Sequence, residues 1–198
     1  MPTLDLVNLD HLGFSSFFAA QFAELQRLDL VPARIAADGM SAWPLAGSRA
    51  GLGELSGKLR HGITHEQRPA VGDWVAVADS EDRAVIHHIL PRRTALVRRA
   101  ASLDAVSQVI AANVDLFGIV TSANQDLNPR RIERYLAAVW ESGASPTIVL
   151  NKVDLVDDVA PLRATLDEVA LGVPVVEVSA VTGDGLADLQ AALGGNEK

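Results

Sequence analysis

The sequence predicts an OB-like β-barrel followed by α/β structure, a partial doubly wound parallel sheet. Residues 30 to 97 contain five or so short apolar segments separated by turn residues, which is the strand density of a small closed barrel. After about residue 107 the pattern lengthens into three strand–helix units, and consecutive units of this kind imply parallel strands. With 198 residues, 48% of them hydrophobic, the chain can form one large or two small cores.

The predicted elements begin with a helix and continue with the barrel strands. Apolar residues at helical spacing predict an amphipathic helix over residues 12 to 28, with Ser15 or Ser16 as its cap. The barrel strands lie in the segments VPARIAA, GMSAWPL, GELSGKL, PAVGDWVAVA, AVIHHIL and TALVRR. We therefore divide the chain into an N-terminal helical extension, the barrel and an α/β region, at residues 1–29, 30–99 and 100–198.

The α/β region alternates strands and helices, in the order 116–121, 129–141, 146–150, 159–170, 174–178 and 186–193. Pro129 suits the start of the first of these helices because its fixed φ matches helical geometry. Parallel sheets of this kind bind ligands at the carboxyl ends of their strands. Ligand-binding residues should therefore stand directly after residues 121, 150 and 178.

Composition excludes several classes of protein. The 198 residues include no cysteine, which excludes a disulfide framework, a cysteine-ligated zinc or iron–sulfur site within this chain, and a thiol nucleophile. The first 25 residues lack the features of a signal peptide, and no apolar stretch approaches the ~18 residues of a membrane span. We expect a cytoplasmic protein with no membrane partner.

Charge is unevenly distributed along the chain, whose net charge is -8. Residues 58 to 99 carry 8 Lys and Arg against 5 Asp and Glu, net +3, whereas both flanking parts are acidic. This stretch suits contacts with RNA phosphates, through Lys58, Arg60, Arg92, Arg93, Arg98 and Arg99. We expect Lys58 and Arg60, with His61, to lie on a barrel strand. The alternative is a solvated charged edge that blocks strand pairing.

Two short motifs directly follow the second and third predicted strands of the α/β region, Asn151-Lys152-Val153-Asp154 and Ser179-Ala180. Guanine presents two adjacent donors, its ring N–H and its exocyclic amine, and a carboxylate can accept from both. We assign that role to Asp154. Asn151 can contact the base or tie adjacent loops, and Lys152 can lay its methylene stem over the ring. The Ala180 N–H can donate to the guanine carbonyl oxygen.

A guanine site competes with simpler interpretations of the same residues. Asp154 could instead cap the helix at 159–170 or be solvated in a loop. The position of both motifs at strand ends favours the guanine site, because adenine lacks the donor pair and would leave the carboxylate unpaired.

The whole chain resembles the N-terminal part of the ribosome small-subunit-dependent GTPase A family, circularly permuted GTPases with an OB-fold in front. The resemblance is carried by LGFSSFFAAQF (12–22), LSGKLRH (55–61), PAVGDWV (69–75), LPRRTALVRR (90–99), QVIAANVD (108–115), NPRRIERYL (128–136), VLNKVDL (149–155) and VSAVTGDGL (178–186). It implies a factor that binds GTP or GDP and hydrolyses GTP in late maturation of the small ribosomal subunit, with that subunit and its rRNA as partners. We expect a monomer.

The phosphate-binding loop G-x-x-x-x-G-K-[ST] of such enzymes is not found in the 198 residues. The nearest approach, residues 51–59, has the wrong spacing and is expected to be a turn and a strand. The family also implies magnesium and zinc, but their ligands are not in this chain. We expect a fragment or truncated product with no catalytic residue, inactive by itself. The alternative is a non-catalytic RNA-binding OB module with a degenerate nucleotide domain.

The histidines form two close pairs, but neither pair has the geometry of a metal site. His61 and His65 are four residues apart and, on a strand, too distant to chelate. His87 and His88 are neighbours and should face opposite sides of a strand. We expect structural or RNA-facing roles for these side chains.

Overall fold

The computed structural model describes residues 9–64, 66–80, 82–98, 107–124 and 127–194. The chain forms two compact units, Met1–Asn113 and Val114–Lys198, which we call the barrel unit and the α/β unit. The predicted fold class, an OB-like barrel followed by part of a parallel α/β sheet, is confirmed. None of the described helices combines the length and apolar character needed to span a bilayer.

The predicted N-terminal helix is present but shorter than expected. Helix α1 covers Ser16–Glu24, and Ser15 occupies the N-cap position without a side-chain capping bond. Phe14 and Phe18 are buried and pack on Trp74, with ring centroids 4.7 and 6.1 Å away. Aromatic pairs of this kind contribute about 0.5–1.5 kcal/mol beyond their buried area. The extension is therefore held against Trp74 of the barrel.

Five strands close into the barrel: β1 Val31–Ile35, β2 Ala42–Gly47, β3 Gly51–Leu55, β4 Trp74–Ala78 and β5 Ala84–Ile89. Their order around the barrel is β1-β2-β3-β5-β4, in which β3 and β5 are parallel and the other neighbours antiparallel. Alternate side chains such as Ile35, Trp43 and Ile86 fill the interior, as the two-residue period of a strand requires.

A short helix, α2, covers Gly57–Gly62 after β3. The expectation that Lys58, Arg60 and His61 lie on a barrel strand is therefore wrong. The chain leaves the strand at Ser56, whose hydroxyl accepts a hydrogen bond from the Leu59 N–H at 3.2 Å and so caps the helix. Leu59 and Ile63 pack against the barrel core, which leaves the basic side chains of α2 exposed.

The TALVRR segment forms β6, Ala95–Arg98, which pairs outside the closed barrel with β7, Gln108–Ala112. The N–H of Ala112 donates to the Val71 carbonyl at 2.8 Å, which ties β7 to the segment before β4. The barrel unit consequently extends to Asn113 and not only to residue 99, where the sequence suggested a boundary.

The α/β unit follows the predicted strand–helix order closely. Its elements are β8 Leu116–Ser122, α3 Pro129–Ser142, β9 Ser145–Asn151, α4 Ala160–Ala170, β10 Val175–Glu177 and α5 Leu186–Gly194. The three strands are parallel, in the order β10-β9-β8. Pro129 stands at the start of α3 as predicted, and Asn128 caps that helix by accepting from the Arg131 N–H at 3.0 Å.

One hydrophobic core serves this sheet and the helices that connect its strands. Ile148 and Leu150 of β9 are fully buried, together with Leu136 of α3 and Leu166 of α4. Because the sheet is fixed by this core, the carboxyl ends of β9 and β10 are held side by side, with Glu177 paired to Leu150.

Candidate functional site

The structure brings together all five residues of the predicted guanine site. β9 ends at Asn151, and Ser179 follows β10 two residues after its end. The backbone passes from Asn151 into a single 3₁₀ turn, Val153–Leu155, which carries Asp154. Lys152 adopts the left-handed conformation, with φ of 65°, and this reversal turns Asp154 toward Ser179.

Asn151 ties three adjacent segments together. Its Oδ1 accepts hydrogen bonds from the N–H of Lys152 at 2.8 Å and from the N–H of Ala180 at 3.2 Å. Its backbone carbonyl accepts from the N–H of Ala123, just beyond β8, at 2.7 Å. Of the two roles expected for Asn151, the structure displays the linking of adjacent loops. The Ala180 N–H forms one of these links by donating to Asn151 Oδ1.

Asp154 is held by a buried hydroxyl. Ser179, which is fully buried, donates from Oγ to Asp154 Oδ1 at 2.5 Å and accepts from the Thr182 N–H at 3.1 Å. The carboxylate itself is exposed. The Ser179 hydroxyl is bonded to one carboxylate oxygen of Asp154 and restricts rotation of the carboxyl group. Because an ionised carboxylate only accepts hydrogen bonds, Asp154 keeps further lone pairs for an incoming pair of donors.

Asp154 does not cap the following helix, whose N-cap residue, Val159, makes no side-chain capping bond. Asp158 Oδ1 accepts from the Ala160 N–H, the first of α4, at 3.0 Å. Asp154 is bonded instead to Ser179, on the loop after β10. Asp158 therefore bonds to the first N–H of α4, whereas Asp154 bonds to the loop after β10. We call the group Asn151, Lys152, Asp154, Ser179 and Ala180 the strand-end site.

The loop after β10 contains residues that hold Ser179 in place and that the sequence pattern alone did not single out. The carbonyl of Asp184 accepts from the Ser179 N–H at 2.9 Å, and the Thr182 hydroxyl donates to the Asp184 carboxylate at 2.6 Å. Gly185 has φ of +71°, and a Cβ there would lie 1.9 Å from the Glu177 carbonyl oxygen. The run Thr-Gly-Asp-Gly is a turn signal that could have indicated this compact loop.

The basic residues proposed for RNA fall into different settings. Lys58 and Arg60 are exposed on α2, Arg93 and Arg98 are exposed near and on β6, and Arg99 lies outside the described residues. Arg92 differs, since it binds both carboxylate oxygens of the fully buried Asp73 at 2.8 and 2.7 Å. It also donates to two backbone carbonyls. This geometry favours a structural role for Arg92 over contact with phosphate.

The histidines are arranged differently from the expectation. His61 lies on α2 and not on a strand, and His65 lies outside the described residues. His87 and His88 both line one groove beside α2, at a point where the regular pairing of β5 with β4 is interrupted. Within the described ranges, no three His, Asp or Glu side chains are grouped so that they could hold a metal ion.

The comparison with protein families matches residues 89–197 to the RsgA GTPase family. The chain belongs to this family. It is 44% identical over 196 residues to the small ribosomal subunit biogenesis GTPase RsgA of Syntrophotalea carbinolica, covering 94% of this chain and 54% of that protein. The same-named protein of Opitutus terrae is 40% identical over 195 residues, covering 92% and 53%. The chain thus spans about half the length of these relatives.

Solved structures share the fold. YjeQ from Thermotoga maritima matches with a TM-score of 0.65 at 24% identity, covering 83% of this chain and 57% of that one. YloQ, described as a circularly permuted GTPase, matches with a TM-score of 0.58 at 22% identity, covering 82% and 56%. At these identities the likeness concerns the fold alone.

Proposed function

We propose that this chain supplies guanine recognition and RNA contacts for a GTPase that acts in maturation of the small ribosomal subunit. The observation that carries the proposal is the pair Asp154–Ser179, joined at 2.5 Å where β9 and β10 end. Relatives that are 40–44% identical bear the name small ribosomal subunit biogenesis GTPase, which supports the reaction and the partner.

Guanine binding follows from the chemistry of the strand-end site. Asp154 accepts from the ring N–H and exocyclic amine of guanine, while Ser179 fixes the carboxylate for that contact. Lys152 is exposed beside it, so its methylene stem can cover one face of the base. The Ala180 N–H, which donates to Asn151 Oδ1 in this structure, reaches the guanine carbonyl by sharing or exchanging that bond.

The hydrolytic part of the proposed activity has no residues in this sequence. The 198 residues contain no G-x-x-x-x-G-K-[ST] motif, whose backbone, Lys and Ser or Thr hold phosphates and magnesium. They contain no cysteine for the zinc site that the family implies. Magnesium and zinc therefore do not fit residues of this chain, and we assign them no step.

The ribosomal partner is supported by charge. The stretch 58–99 is net +3 in a chain that is net -8 overall, and Lys58, Arg60, Arg93 and Arg98 are exposed within it. Phosphate contacts from such side chains bind rRNA mainly through its backbone and shape. We propose that the barrel unit contacts rRNA of the small subunit and that the chain acts as a monomer.

The test of guanine recognition is the substitution Asp154→Asn. An asparagine offers one acceptor and one donor, which suits xanthine, whose C2 carbonyl replaces the amine of guanine. We expect guanosine affinity to fall by roughly 30-fold, the equivalent of about 2 kcal/mol for a hydrogen bond to a charged group. Xanthosine affinity should rise in the same variant.

The matched control is Asp157→Asn, which removes an equally exposed carboxylate three residues further on. It should leave both affinities unchanged in titrations followed by calorimetry or NMR. Guanosine affinity that survives Asp154→Asn would contradict the guanine assignment. RNA binding with no guanosine binding in the parent chain would favour the non-catalytic RNA-binding module.

A further inference from the structure

A groove on the barrel unit lies between α2 and β5 and has a volume of about 530 Å³. We call it the α2–β5 groove. Its floor includes the apolar side chains of Leu59 and Ile63, which also pack on the barrel core. Around this floor stand Arg27 from the segment before β1, Lys58 from α2, and His87 and His88 from β5. An apolar floor is thus surrounded by basic groups from three parts of the chain.

A β-bulge explains why two consecutive histidines reach the same groove. Along the β4–β5 pair, Val77 pairs with Ile86 and Ala76 pairs with His88, so His87 is an extra residue without a partner. A bulge of this kind interrupts the alternation of side chains and redirects one of them. Such irregularities are enriched near binding sites because they aim side chains that a regular strand would turn away.

The groove is electrostatically positive around His88. Burial lowers the pKa of the His88 imidazole, and repulsion from His87 lowers it further. Arg27 and Lys58 act on this pKa in the same direction. Asp29 lies beside Arg27, accepts from it at 2.7 and 2.6 Å and stays ionised because that hydrogen bond lowers its pKa to about 2.

The pairing of Arg27 with Asp29 leaves Lys58 as a positive charge without an ion-pair partner among the described residues. Burial and the neighbouring positive charges lower the pKa of His88 and so favour its neutral form. An anion in the groove would oppose the repulsion that lowers this pKa.

We propose that the α2–β5 groove binds a phosphodiester of the RNA backbone and that His88 takes up a proton when it does. This inference rests on the RNA-binding part of the proposed function and assigns it a place on the barrel. Lys58 supplies the fixed charge and His88 supplies charge that appears on binding, while Leu59 and Ile63 pack against the ribose.

The sign of the pH dependence follows from linkage. The bound phosphate raises the pKa of His88, so the complex holds more protons than the free protein and RNA affinity increases as pH falls from 8 to 6. A rise of about one unit in this pKa corresponds to at most roughly tenfold in affinity, and to about three- to sixfold between pH 8 and pH 6, because the pKa in the free protein lies below its ordinary value. Asp29 remains ionised throughout and contributes no pH dependence.

The experiment measures the affinity of the full 198-residue chain for a labelled single-stranded RNA oligonucleotide at pH 6 and pH 8. The parent should bind about three- to sixfold more tightly at pH 6. His87→Gln combined with His88→Gln should reduce that ratio to about one, whereas His11→Gln, an exposed histidine elsewhere, should not change it. Lys58→Gln should reduce the slope of log RNA affinity against log salt concentration by about 0.7, whereas Arg134→Gln on α3 should leave this slope unchanged.

A second measurement does not depend on the variants folding. Histidine side-chain NMR signals of the parent chain are titrated with pH, alone, with inorganic phosphate and with the RNA. RNA should raise the pKa of His88, and the signals of His11 should not respond to the RNA. A rise with inorganic phosphate but none with RNA would overturn the RNA assignment in favour of a small-anion site.

The outcomes also separate the inference from the function on which it rests. If the double variant and the parent bind RNA with the same ratio of affinities at pH 6 and pH 8, the groove proposal is contradicted. The proposed RNA partner is not affected by that result. If the parent chain binds no RNA at either pH value, the proposal of an RNA partner is contradicted, and the groove proposal is contradicted with it.

Discussion

At the scale of single residues, the best-defined interaction of the barrel unit is the one between Asp73 and Arg92. Asp73 is fully buried, and its carboxylate accepts two bonds from Arg92 and one from the Ala70 N–H at 2.8 Å. Arg92 also donates to the carbonyls of Arg68 and Glu66, at 2.8 and 3.3 Å. These bonds tie the segment that precedes β4 to the segment between β5 and β6.

We predict that Arg92→Gln destabilises the barrel unit by about 3–5 kcal/mol, because it leaves a buried carboxylate without its counter-charge. The matched control is Arg83→Gln, which removes a surface pair with Glu54 and should cost less than about 1 kcal/mol. Urea unfolding is followed by the fluorescence of the buried Trp43 and Trp74, in a Trp140→Phe background. Equal losses in the two variants would show that the buried pair has no special role.

The sequence could not separate Arg92 from its neighbours Arg93 and Arg98. All three are arginines in one basic stretch, and charge counting treats them alike. What distinguishes Arg92 is a partner 19 residues away that becomes buried only in the folded barrel. The five residues of the strand-end site were predictable, because the carboxyl ends of adjacent parallel strands must meet.

At the scale of elements, the loop between β10 and α5 depends on backbone conformation. Gly183 and Gly185 both have positive φ, of +89° and +71°. An added Cβ at Gly183 meets nothing within 4 Å, whereas at Gly185 it would lie 1.9 Å from the Glu177 carbonyl oxygen. The two glycines therefore carry similar conformational strain on substitution and differ in steric contact.

We predict that Gly183→Ala costs about 1–2 kcal/mol of local strain and keeps the guanosine affinity, while Gly185→Ala displaces the loop and weakens guanosine binding. The displacement arises because the added methyl group collides with backbone of β10, which cannot move without disturbing the sheet. Amide NMR shifts of Ser179 and Asp154 report the loop directly. If the two variants had the same amide shifts and the same guanosine affinity, we would conclude that the loop does not position Ser179.

The elements differed in how well the sequence predicted them. Strands and helices of the α/β unit were placed within about two residues, because their period and the proline at position 129 are local signals. Helix α2 was mistaken for strand, since the six residues Gly57–Gly62 are too few to display a helical period. Strand β7 and the bulge at His87 depend on pairing with distant residues, which no local pattern reveals.

At the scale of the whole molecule, each compact unit has its own core and its own polar surface of interest. The barrel unit carries the exposed basic residues of α2 and β6, and the α/β unit carries the strand-end site. The location of these two groups of residues on different units was predictable from charge and motif position. The extent of the barrel unit to Asn113 was not, because it depends on the contact of β7 with Val71.

The proposed guanine site includes no phosphate-binding motif. Phosphoryl transfer depends on positioning and charge stabilisation by a phosphate loop, its Lys and a magnesium ion. The 198 residues contain no G-x-x-x-x-G-K-[ST] segment. On the proposed assignment, we therefore expect nucleotide affinity to come from contacts with the guanine ring alone.

We predict that the 198-residue chain binds GTP, GDP and guanosine with nearly equal, weak affinity and does not hydrolyse GTP measurably. The three ligands present the same base to Asp154 and differ only in phosphates that these residues leave in solvent. Titration calorimetry with each ligand, with and without magnesium, tests the first part, and phosphate release tests the second. A magnesium-dependent preference for GTP or GDP over guanosine would require a phosphate site within these residues, and the guanine-only account would then fail.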